Sequence, residues 1–142
     1  MIAIDTNVLV YAHRSDAPFH DAAFSVLKGV VEGDRPWAIP WPCVHEFLAK
    51  VTHPRIFKRP TPLEKALDQV DEWLGAPSAN VISEPEGYFD LLSTTLVASK
   101  VAGAKVHDAR IVAICLAHGV DELWSADRDF GRFSKLRVRN PL

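Results

Sequence analysis

Short apolar runs alternate with longer amphipathic stretches along this chain, and no other feature restricts its fold as strongly. Ile2 to Ile4, Trp37 to Trp41, Val81-Ile82, Glu122 to Ala126 and Leu136 to Val138 read as strands. Between them, apolar residues recur at helical spacing over Asn7 to Ala12, His20 to Val31, Pro42 to about Thr52, Glu86 to Val101 and Asp108 to His118. One more helix opens on Thr61-Pro62-Leu63-Glu64, which has the form of a capping box, and carries Leu67, Val70, Trp73 and Leu74 along one face. Gly75-Ala76-Pro77, Gly103 and Gly119 read as helix stops. Strands joined through helices pair in parallel, because a crossover returns the chain to the same sheet edge. The expectation is an α/β fold with helices on both faces of a central, mostly parallel sheet of four to five strands.

The 142 residues suffice for one domain with a real core, and no linker or repeat divides them. Apolar residues make up 48% and charged residues 24%, which excludes a disordered or low-complexity chain. The apolar run from Ile111 to Ala117 is far short of a membrane span. The amino terminus meets Asp5 too early for a signal peptide. Cys43 and Cys115 lie far apart without a metal-ligand spacing. These features together point to the cytoplasm.

The formal net charge of −2 excludes a general basic coat for nucleic acid. Basic residues nevertheless cluster near the end of the chain, at Arg128, Arg132, Lys135, Arg137 and Arg139, with a second group at Arg55, Lys58 and Arg59. Either cluster can be an ordinary solvated face or a phosphate-binding one.

In parallel α/β sheets, ligands bind outside the carboxyl ends of the strands. Asp5 follows the first strand, and Asp127 follows the fourth with Asp129 two residues on. Glu46 lies in the second turn of the helix after the second strand, and Asp108 stands at a helix start before the fourth. Each has an ordinary structural use. Asp5 and Asp108 can cap helices, Glu46 can be a surface residue, and aspartates are common in turns. Caps placed independently have no reason to gather at one sheet edge. Carboxylates packed together repel unless cations neutralise them, and hard oxygen ligands suit Mg2+ or Mn2+. Two such ions about 3.5–4 Å apart activate a water and stabilise the leaving oxygen in phosphodiester cleavage.

AIDTNVLVYA at Ala3 to Ala12, Glu46, HDARIVAICLAHGV at His107 to Val120 and LWSADRDFGRF at Leu123 to Phe133 together resemble the PIN-domain ribonucleases. Within these the chain is most similar to the VapC-type toxins of prokaryotic type II toxin–antitoxin pairs. The resemblance implies one PIN domain over residues 1–142, a three-layer α/β/α fold and metal-dependent endonucleolytic cleavage of transfer, ribosomal or messenger RNA. It implies a homodimer held inactive by a cognate antitoxin. The family's acidic quartet falls on Asp5, Glu46, Asp108 and Asp127, as catalytic residues and ligands for one or two Mg2+ or Mn2+ ions. Asp129 matches a frequent extra acid, and Asn7 and Ser125 match polar positions that support the metal site. Where relatives often carry Ser or Thr at the start of the Glu46 helix, this chain has Trp41-Pro42-Cys43.

In this reading Arg128, Arg132, Lys135, Arg137 and Arg139 are candidates for the RNA backbone. Trp41, Phe130 and Phe133 are candidates for base stacking, against the alternative that they belong to the core. The rivals are a PIN-type RNA-processing nuclease, a binding module that has lost catalysis, and a phosphatase of the haloacid dehalogenase type. A phosphatase of that type needs an acid at position 7, where this chain has Asn7.

Overall fold

The structure is a computed structural model that describes residues 1–142. Five short strands form the sheet: β1 (Ile2–Ile4), β2 (Trp37–Pro40), β3 (Ala79–Ile82), β4 (Glu122–Trp124) and β5 (Arg137–Arg139). Six helices connect them: α1 (Thr6–His13), α2 (His20–Val31), α3 (Trp41–Val51), α4 (Leu63–Leu74), α5 (Tyr88–Ser99) and α6 (Val106–Ala117). Two 3-10 turns, Gly103–Lys105 and Arg128–Arg132, precede α6 and β5.

All pairings are parallel, in the order β3-β2-β1-β4-β5. The chain steps from β1 to β2 to β3 in one direction, then returns past β1 to lay down β4 and β5 on its other side. Right-handed crossovers running in opposite directions put their helices on opposite faces. The helix packing agrees: α1 packs on α2 and α3, and α3 on α4, while α5 packs on α6. The direction therefore reverses between β1 and β4, the switch point where α/β sheets open a crevice at their carboxyl ends.

The sheet interior is apolar on both faces, as a covered parallel sheet requires. Ala3, Ile4, Trp37, Ala38 and Leu123 are wholly buried. The Trp37 indole Nε1 is the one buried side-chain nitrogen or oxygen without a hydrogen-bond partner, a cost of about 1–3 kcal/mol that the rest of the core carries.

Several element boundaries differ from the sequence reading, each for a local reason. The second strand ends at Pro40, and Trp41 already belongs to α3, with Pro42 in its first turn where no backbone N–H is needed. The third strand starts at Ala79, because β3 pairs with β2 along its whole length from Trp37↔Ala79 to Pro40↔Ile82. The fifth helix is shorter than Glu86 to Val101: Gly87 precedes it at φ 76° and Lys100 ends it at φ 53°, both left-handed. The capping box at Thr61 does not form. Thr61 Oγ1 instead accepts from Arg14 Nη1 at 3.2 Å and lies 3.1 Å from His13 Nε2, so it ties the segment before α4 to the end of α1. The last helix begins at Val106, and Asp108 lies in its first turn, a position favoured by the helix dipole.

Leu123 is fully buried on β4, between Ala3 of β1 and Val138 of β5. Leu123→Ala is expected to cost about 2–5 kcal/mol, read as a lower urea midpoint at unchanged slope.

Candidate active site

Asp5 leaves β1 at the switch point, and its backbone N–H donates to the carbonyl of Trp124 on β4 at 3.0 Å. Only 4% of the residue is exposed. Its Oδ2 accepts from Ser125 Oγ at 2.7 Å and from Asn7 Nδ2 at 2.8 Å, while Cys43 Sγ lies 3.7 Å from Oδ1. Burial pushes the Asp5 carboxyl up to about 6, against the opposing hydrogen bonds from Ser125 and the Thr6 backbone, with Glu46 adding to the rise. Asn7 closes the network, since its Oδ1 accepts from Ala126 N–H at 3.0 Å and its Nδ2 also reaches Ser125 Oγ at 3.1 Å. Ser125 Oγ accepts in turn from Asp127 N–H at 3.0 Å. The ends of β1 and β4 are thus joined through three polar side chains.

Asp5, Glu46, Asp108 and Asp127 line one cavity of about 60 Å³, together with the apolar Ile111 and Phe130. Glu46 Oε2 accepts from the Thr6 hydroxyl at 2.9 Å, and its Oε1 pairs with Lys50 at 2.7 Å. Asp108 lies 3.5 Å from Lys105 Nζ. Burial raises the Asp108 carboxyl, Lys105 opposes that rise and Asp127 adds to it. Asp127 Oδ1 accepts from Asp129 N–H at 2.9 Å, which holds the turn after β4. Asp129 does not line this cavity; it is bound by Lys105, whose hydrogen bond holds it below the usual carboxylate range.

A family model described as the PIN domain matches residues 2–136. The chain belongs to the PIN-domain family. Ribonuclease VapC48 of Mycobacterium tuberculosis is 31% identical over 96% of this chain and 94% of its own length. Ribonuclease VapC43 of the same organism is 34% identical over 100% of this chain and 96% of its own. Among solved structures, VapBC2 from Rickettsia felis, bound to a DNA fragment from its promoter, superposes with a TM-score of 0.71. That match covers 99% of this chain and 98% of the other at 18% identity, and it shows the shared fold.

The donor set of this PIN domain fits a hard divalent ion. Four carboxylates from four separate segments line one small cavity of about 60 Å³, room enough for an ion and bound water. Cys43, at the start of α3, places its thiol 3.7 Å from Asp5 Oδ1. No three of these side chains come within ligating distance of one point. The ammonium groups of Lys50 and Lys105 take up part of the charge by pairing with Glu46 and Asp108. The sequence reading passed over Thr6 and both lysines. Their signals were adjacency to Asp5, the i,i+4 spacing from Glu46 to Lys50 and the i,i+3 spacing from Lys105 to Asp108.

Asn7, where a haloacid-dehalogenase phosphatase needs its second acid, is an amide committed to Asp5 and Ala126. Phe130 and Phe133 are 2% and 4% exposed; they are core residues and not platforms for bases. Trp41 is 38% exposed and tilted against His45 at 6.0 Å. The basic candidates diverge. Arg128 lies on the turn beside Asp127, whereas Arg132 and Lys135 line a separate pocket with Thr95 of α5 and Leu116 of α6. Arg137 and Arg139 reach Glu122 at 2.9 Å and 4.0 Å, and Arg139 also lies over the Trp124 ring.

A carboxyl whose folded value lies above its unfolded one destabilises the native state as pH rises through the interval between them. For Asp5 that interval runs from 3.8 to about 6. In EDTA at pH 7, Asp5→Asn is expected to be more stable than the parent by roughly 1–3 kcal/mol. That advantage should shrink below pH 6 and vanish below pH 4, as followed by thermal melting across pH.

Proposed function

We propose that this chain is a divalent-metal-dependent endoribonuclease, the toxin of a type II toxin–antitoxin pair, which hydrolyses RNA phosphodiesters and so stops translation until a cognate antitoxin binds it. The observation that carries this reading is the meeting of Asp5, Glu46, Asp108 and Asp127 in one cavity at the β1/β4 switch point. Whole-length relatives that bear the name ribonuclease support the activity, and a toxin–antitoxin complex from Klebsiella pneumoniae among the structural neighbours supports the partner.

Asp5, Asp108 and Asp127 would hold the Mg2+ or Mn2+, with Glu46 contributing from the α3 side. When bound, the ion would supply charge for the phosphate oxygens and acidity for a water. Ser125 and Asn7 both donate to Asp5 Oδ2, which keeps this carboxylate from rotating away, and Thr6 does the same for Glu46 through Oε2. Arg128 stands next to Asp127 and offers a cation to the strand. In-line attack by water forms one P–O bond and breaks the bond to the 3′ oxygen, leaving 3′-hydroxyl and 5′-phosphate ends. The 2′-hydroxyl is not the nucleophile. The protein acts as a cytoplasmic homodimer in this reading. α5, which leaves Phe89 and Val97 75% and 77% exposed, supports association with a second copy.

Purified protein is expected to cleave RNA with Mg2+ or Mn2+ and to stop in EDTA. Asp5→Ala and Asp108→Asn should reduce cleavage to background while retaining a cooperative melt. A folded Asp5→Ala protein that still cuts RNA would overturn the assignment. Ser125→Ala is expected to weaken Mn2+ binding roughly 10–100-fold by calorimetry, because Asp5 loses its closest hydrogen bond.

A further inference from the structure

A second, open cavity of about 410 Å³ lies at the carboxyl ends of β4 and β5, beside the acidic one. It falls within the roughly 300–1,000 Å³ of sites that hold small ligands. Asp127 lines both cavities, so the turn after β4 is the wall between them. The turn and β5 are fixed relative to each other, since Ser125 N–H donates to the Arg139 carbonyl at 2.9 Å.

We propose that this second cavity is a nucleotide subsite, which takes the ribonucleotide adjoining the phosphate that sits over the acidic cavity. The proposal rests on the ribonuclease reading and adds to it a pocket that selects the cleavage position. Three features of the lining fit a nucleotide. Arg128 is exposed and engaged in no ion pair, while Arg137 and Arg139 nearby are turned onto Glu122. A free guanidinium in this position holds a phosphate in a two-pronged grip. Asn140 Oδ1 accepts from Leu142 N–H at 3.0 Å, which assigns the amide orientation and leaves the Nδ2 hydrogens free to donate to an acceptor on a base edge. Ala126 and Val138 supply apolar surface for the face of the base. Gly131 leaves the cavity open, because a Cβ built there meets nothing within 4 Å. A side chain added at 131 therefore starts in open space at the cavity wall.

The test uses full-length protein with Mn2+ and two readouts. Binding of a labelled single-stranded oligoribonucleotide pool is measured by fluorescence anisotropy in an Asp5→Asn background. Cleavage positions of the Asp5-containing protein are mapped on the same pool by sequencing fragment ends. Gly131→Leu is expected to weaken binding about tenfold, the size of one lost base contact. Arg128→Ala should lower the slope of log affinity against log salt by about one, the signature of one lost phosphate contact. Asn140→Ala should broaden the base preference at the single position next to the cut. If the parent cleaves RNA while all three variants keep its affinity, salt slope and cleavage map, the subsite is wrong and the ribonuclease reading stands. If the parent neither binds nor cleaves the pool, both fall. Thermal melts of each variant separate a lost pocket from a lost fold.

Discussion

The burial of one carboxylate governs the rest of this structure. Asp5 sits where the central strand ends, almost out of contact with water, and each of its oxygens is met by a neighbouring side chain. A buried acid pushed up to about 6 is costly for the fold alone. The cost is acceptable if the group works with a cation, since a divalent ion reverses the electrostatics that burial imposes. The network of Asn7, Ser125 and Thr6 is arranged around that cost. Ser125 and Asn7 donate to Asp5 Oδ2 and Thr6 to Glu46 Oε2, which holds these acids in the cavity they line with Asp108 and Asp127.

Sheet order explains why the acid stands there. Because β1 is central and the chain reverses direction beside it, the ends of β1 and β4 are adjacent, where such sheets open a crevice. α3 and α6 bring Glu46 and Asp108 to the same crevice from different parts of the chain. The two lysines nearest the acids, Lys50 and Lys105, come from the same helical segments and hold two of the carboxylates as ion pairs. Charge in the crevice is thus partly balanced within the protein.

Much of this was legible in the sequence. The alternation of apolar runs with helical patterns carried the parallel sheet, because period and spacing are local properties. Asp5, Asp127, Glu46 and Asp108 stood out by their places relative to strand ends, which the parallel topology converts into one edge. What the sequence did not show was of another kind. Thr61 has the residue type and spacing of a cap, yet its hydroxyl is taken by Arg14 and His13, far away in the chain. Phe130 and Phe133 lie among basic residues, and the sequence left both base stacking and the core open to them; both turn into the core. Asp129 follows the acidic motif, and Lys105 binds it together with Asp108, a link between remote segments that the sequence does not display.

What the sequence alone determined is the architecture and the chemical type of the site. Hydrophobic period dictates strands and helices, and carboxylates at strand ends can serve little besides cations when they gather. Tertiary structure alone decided which polar groups meet. The pairing of Thr6 with Glu46, the bond between Cys43 and Asp5 and the scattering of the five basic residues over separate surfaces depend on distances between segments remote in the chain. Side-chain bonds act over about 3 Å, and only the packed fold sets separations that short.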